Sequence, residues 1–162
     1  MTEPKKLIQG AFYHLDIPLG SSNTTRYYFY LGSTTEEHLT VSVSSQLGTR
    51  VELIKKQGIY TSETLPFFTP SSSLTYSPIR YRSYANCTQI IPIEYDLFEE
   101  KYLGGPYNSS KDFLERVLKG VQLGLDRGFT SEDHWEAIWA YSNIDEKSAS
   151  CSRTVKTLNF SF

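Results

Sequence analysis

Between Arg26 and Gln46 the chain reads RYYFYLGSTTEEHLTVSVSSQ, two apolar runs of strand length separated by a short polar break. Both runs are rich in β-branched and aromatic residues. In the second, Ser42 and Ser44 alternate with Val41 and Val43, which is the period of a half-buried strand. Two such runs so close together are predicted to lie side by side in a sheet. Arg26 opens the first run and Ser44 closes the second, so pairing brings a guanidinium and a hydroxyl to the same end of that sheet. A planar cation held beside a hydroxyl is suited to recognising a phosphate.

The preceding segment extends this pattern. Gly10 to Arg26 reads GAFYHLDIPLGSSNTTR: a β-rich run from Ala11 to Ile17 breaks at Pro18, turns through Gly20 and crosses a polar loop to the Arg. The order resembles the opening of the MazF/PemK family of toxin endoribonucleases, with Gly10, Pro18, Gly20, Ser21, Arg26, Ser44 and Gln46 at the matching places. A later stretch, RSYANCTQIIPI from Arg82 to Ile93, is similar to that family's Ser-x-x-x-x-x-Gln strand, which is followed by a short turn and a closing helix. The resemblance spans roughly residues 8 to 125, and the order of the pieces carries it. Three departures stand out: Tyr27 where the pattern has Pro, a long stretch at residues 55 to 80, and a tail beyond the closing helix.

The resemblance implies a mainly β (β+α) fold, a small SH3-like antiparallel barrel with one or two C-terminal helices. It also implies a cytoplasmic two-fold homodimer that cuts single-stranded RNA sequence-selectively and without a metal ion, with no cofactor and with an antitoxin protein as a possible partner. Arg26 and Ser44 would be the catalytic pair, Arg26 as acid or charge clamp and Ser44 as its helper. Ser21, Ser45, Gln46, His38 and Tyr28 would contact substrate. The alternative is a MazF-like fold that has lost catalysis and binds a host protein, a nucleotide or a nucleic acid. A structural SH3-like barrel would show only an apolar face.

Composition is compatible with this and narrows it. The 162 residues fit one domain, and 12 Tyr with 9 Phe mean that much of the core must be built from large rings. A net charge of −2 argues against broad electrostatic binding of nucleic acid, so contact with RNA is expected to be local. No apolar run is long enough to span a membrane, and no apolar h-region follows Lys5 and Lys6, so an intracellular protein is expected. Cys87 and Cys151 then read as free thiols. His14, His38 and His134 have no metal-ligand spacing with them, and no zinc site is expected.

Strands are predicted at residues 7 to 17, 26 to 32, 38 to 45 and 50 to 54, with Gly20, Gly32 and Gly48 marking turns. Arg82 to Ile93 adds another. Ser109 and Asp112 read as a capping box for a helix from about Lys111 that Gly128 stops. A second helix starts at Thr130 or Ser131 and carries Trp135, Ile138 and Trp139 on one side. The barrel with its closing helix is expected to occupy residues 1 to 128, and residues 129 to 162 to form a helix and tail on the same domain. Tyr27, Tyr28, Tyr30, Tyr81 and Tyr84 could stack on unpaired bases; Tyr27 and Phe29 share one side of their strand and are expected in the core, whereas Tyr28 and Tyr30 point to the other. His38 titrates in the right range for a general base, with a polar turn residue as the plainer reading. Glu94, Asp96, Glu99 and Glu100 read as a solvated acidic turn.

Overall fold

A computed structural model of the chain describes residues 7–17, 26–44, 64–68, 79 and 81–145. The elements are β1 (Phe12–Leu15), β2 (Arg26–Ser33), β3 (Glu37–Ser44), β4 (Phe67–Phe68), β5 (Ser83–Ala85), β6 (Ile91–Glu94), α1 (Tyr95–Lys101), β7 (Tyr102–Tyr107), α2 (Lys111–Asp126) and α3 (Glu132–Asp145). All strand pairs are antiparallel. The sheet runs β4-β5-β3-β2-β1-β7, and β6 pairs with the same side of β3 as β5 does, nearer the start of that strand.

The sheet does not close into the expected barrel: among the described residues, β4 and β7 are its two edges. Both faces are covered instead. On one, Phe12, Phe29, Leu31, Leu39, Val41 and Val43 pack against Phe113, Val117 and Val121 of α2 and against Trp135, Ile138 and Trp139 of α3. On the other, Tyr13, Leu15, Tyr28 and Tyr30 pack with Leu7, Ala11, Ile93 and Phe98, the last from α1. A sheet covered by helices on one side and by a short helix and the N-terminal segment on the other buries its apolar surface without curling onto itself.

The β2–β3 hairpin turns at Thr34, whose Oγ1 accepts hydrogen bonds from the amides of Glu36 at 3.2 Å and Glu37 at 3.0 Å. Gly32 is therefore not the turn marker it resembles in sequence; it lies inside β2. A Cβ there would meet the Tyr141 Cβ at 3.2 Å and the Ile138 Cα at 3.3 Å, so the missing side chain lets the α3 backbone cross β2 closely. From that crossing α3 serves both clusters, with its tryptophans on one face and Tyr141 on the other, where the Tyr141 hydroxyl donates to Leu7 O.

Several other elements differ from expectation. β1 is shorter than residues 7 to 17, and the 50 to 54 strand lies outside the described residues, as does most of 55 to 80. Arg82 to Ile93 is two strands, because the Asn86 side chain accepts from the amide of Thr88 at 3.1 Å and forms a turn between them. The acidic stretch is α1, with Phe98 buried beneath its carboxylates. β7 has the sequence YLGGPY, which reads as a turn by composition but pairs with β1 in the structure. The α2 cap is Ser110, accepting from the Phe113 amide at 3.0 Å, while Ser109 instead donates to Gly10 O. Gly128, at φ +83, does end that helix. Ser131 accepts from the amide of His134 at the start of α3. No described helix is long and apolar enough to cross a membrane.

The close approach at Gly32 generates a test. Gly32→Val is expected to lower stability by about 1–3 kcal/mol through overpacking. Phe29→Ala, which empties a fully buried site, should cost about 3–5 kcal/mol. Urea midpoints of the two variants against the parent chain measure both.

Candidate functional site

The register of the central strands decides what meets at the end of the sheet. Tyr27 faces Val43 and Tyr28 faces Ser42, which places Arg26 beside Ser44. The Arg26 Nη1 lies 3.5 Å from the Ser44 Oγ, a long hydrogen bond between two half-buried groups. The two catalytic candidates are therefore brought together. The Arg26 Nε is buried with no hydrogen-bond partner among the described residues, so this guanidinium has a donor shielded from water and still unsatisfied. An anion bound at the fork would offset that cost.

The same row continues outward. Ser44 faces Tyr84 on β5, and Tyr84 faces Phe67 on β4. The Tyr84 and Phe67 rings are 5.6 Å apart, and the Arg82 guanidinium carbon sits 4.6 Å from the Phe67 ring centroid. Arg116 of α2 holds the backbone of this edge, its Nη1 donating to Phe67 O at 2.7 Å. Of these residues the sequence offers Tyr84 as a stacking ring but not Phe67 or Arg82 beside it, because β4 and β5 are separated by residues with no strand pattern to relate them.

The remaining site candidates are placed differently. Ser21, Ser45 and Gln46 lie outside the described residues. Tyr28 is fully buried, and its hydroxyl donates to Ile17 O at 2.5 Å, so its ring is closed to a base. Burial pushes that phenol up to about 12, an effect the Arg26 charge opposes. On the opposite face, Phe29 is core as expected, and Tyr27 is half-buried, stacked on His14 at 4.6 Å.

His38 is neither a turn residue nor an accessible base. It is 5% exposed, its Nδ1 is 2.9 Å from the Tyr30 hydroxyl, and its ring is enclosed by Tyr95 at 4.6 Å and Phe98 at 4.9 Å. Desolvation lowers its pKa from 6.5 to about 4, so the imidazole is neutral at pH 7. It belongs to the opposite end of β3 from Ser44. The sequence signal that would have placed it is its period: His38 shares a face with Thr40 and Ser42, which β6 and α1 cover.

The unfolded chain takes up a proton at His38 near pH 6.5, whereas the folded chain resists down to about pH 4. Its contribution to stability is complete above pH 6.5 and is lost as pH falls through that window, on the order of 3 kcal/mol. In urea titrations at pH 7 and pH 4, the parent chain is expected to lose that much more than His38→Leu, which has no proton to take up. A scan against protein-family models found none that matches this chain, and a search of curated proteins found none either.

Proposed function

We propose that the Arg26–Ser44 end of the sheet binds single-stranded RNA and cleaves it without a metal ion, in the manner of the MazF/PemK-like endoribonucleases that the order of sequence motifs resembles. The observation that supports it is the 3.5 Å approach of Arg26 Nη1 to Ser44 Oγ at one end of the sheet. In such a cleavage the ribose 2′-oxygen bonds to the adjacent phosphorus as the bond from phosphorus to the 5′-oxygen breaks. A proton leaves the 2′-hydroxyl, another arrives at the 5′-oxygen, and the products are a cyclic phosphate and a 5′-hydroxyl. Negative charge grows on the non-bridging oxygens in the transition state, where a preorganised guanidinium stabilises it. Arg26 suits that role because its planar fork donates two parallel hydrogen bonds to a phosphate. Ser44 supplies a hydroxyl that donates to the phosphate or orients the 2′-hydroxyl.

A second reading, a binding module without catalysis, is favoured by one observation. His38, the histidine on β3, is buried at the far end of that strand, so it does not serve as the proton acceptor. Binding needs only the phosphate contact, whereas cleavage needs both proton transfers.

A labelled RNA pool incubated with EDTA separates the two. Parent chain should release products with cyclic phosphate ends, Arg26→Ala should be slower by roughly 100- to 1000-fold with the fold retained, and Ser44→Ala should lose less. Equal rates for parent and Arg26→Ala, or RNA bound without cleavage, would leave the binding module as the function. Pairing with a second copy belongs to the same proposal. Tyr102 and Leu103, 45% and 53% exposed on the edge strand β7, offer apolar surface for it, and light scattering should give twice the 18.5 kDa chain mass.

A further inference from the structure

We infer that the β4–β5 edge beside Ser44 is a stacking platform for unpaired bases, built from Tyr84 and Phe67 with Arg82 across the Phe67 ring; this rests on Arg26 and Ser44 being the phosphate contacts. Directly opposed residues of antiparallel strands point to the same face. Ser44 opposes Tyr84, and Tyr84 opposes Phe67, so with Arg26 they form one row across β2, β3, β5 and β4. Their neighbours confirm which face: Val43 and Ala85, one step along, belong to the cluster under α2 and α3.

The row changes character along its length. It passes from cation to hydroxyl to ring to ring, with neighbouring strands about 5 Å apart. In a nucleotide the base is joined to its phosphate through one ribose. A phosphate on Arg26 and Ser44 therefore lays its own base toward Tyr84, and Phe67 lies one strand further for the next. The rings are tilted by 49° at 5.6 Å rather than stacked face to face, and with Arg82 lying over one side of its ring Phe67 is still 39% exposed. Apolar exposure on an edge strand is a hazard that proteins normally suppress. Here it is combined with the Arg82 charge, which suits a polyanion and not an apolar protein surface. Because every base has a π face, such a platform holds single strands with little regard to sequence. The overall charge of −2 is no obstacle, since the attraction is local, to the cations Arg26 and Arg82.

The test compares two labelled probes by fluorescence anisotropy in EDTA: a 2′-O-methyl oligouridine, which cannot be cleaved by internal attack, and the same sugar–phosphate oligomer without bases. Parent chain should prefer the oligouridine. Phe67→Ala and Tyr84→Leu should each weaken oligouridine binding by about 5- to 100-fold and leave the base-free probe unchanged, while Tyr84→Phe keeps the affinity. Arg26→Ala should weaken both probes. Equal affinity of the parent chain for the two probes, which needs no substitution, overturns the platform. So do ring variants with unchanged urea midpoints and parental oligouridine affinity. In both cases a loss on Arg26→Ala leaves the phosphate contact standing. Failure of both probes to bind, or indifference of both to Arg26→Ala, removes the phosphate contact and the platform together.

Discussion

β2 is buried on both faces, and the rest of the molecule is arranged around the consequences. Its sequence alternates Phe29 and Leu31 toward the helices with Tyr28 and Tyr30 toward the other face, all of them at most 1% exposed. Phe29 is the centre of the first set, 5.1 Å from Phe12 and 5.2 Å from Phe113, so three elements meet at one ring. Tilted and edge-on pairs of this kind add to the area that they remove from water. The second set brings a constraint that phenylalanines would not. Each buried phenol must find a partner, and each does: Tyr28 at Ile17 O, Tyr30 at the His38 Nδ1, and Tyr13 as acceptor from the Ile8 amide at 3.0 Å.

Those polar anchors explain features that would otherwise look unrelated. The N-terminal segment before β1 is tied down by Tyr13 and by Tyr141 from the far end of the chain, since the Tyr141 hydroxyl reaches Leu7 O. Gln9 adds a bond to Leu31 O at 2.7 Å. His38 is held as a neutral ring because it is buried among other rings, where it partners the Tyr30 hydroxyl, and burial pushes the Tyr30 phenol up in turn. A histidine in that setting is part of the core's hydrogen bonding, which is why proximity of its ordinary pKa to neutrality says nothing about catalysis here.

What could be read from the residues followed from periodicity. β2 and β3 lie within a residue or two of their expected bounds, because alternation and β-branched composition mark both; α2 follows from its start and stop signals and α3 from an apolar stripe at helical spacing. The meeting of Arg26 and Ser44 was legible for the same reason, since register follows once two strands are adjacent. What could not be read depended on tertiary partners. β4 has two residues and exists only because β5 lies beside it, and β7 is built from Gly104, Gly105 and Pro106, which suit a turn. Gly105, at φ +118, has a place for Cβ only 2.8 Å from Phe12 O, so its glycine serves a close crossing of β1 that no local pattern announces.

The location of the candidate site follows from how the outer edge of β3 is divided. Its first half pairs with β6, whose chain runs straight into α1 and lays Phe98 over the face that carries His38. Thr40 on that half turns inward to bond Ile91 O at 2.9 Å. Its last two residues pair with β5, which has only three residues and brings Tyr84 and β4 instead of a helix. The turn at Asn86 makes this division, because it ends β5 and lets the chain return to β3 as β6. Along one face of one strand, exposure thus rises from buried His38, Thr40 and Ser42 to half-buried Ser44. Among the described residues this is the less covered end of that face, and it is the end at which the register places Arg26.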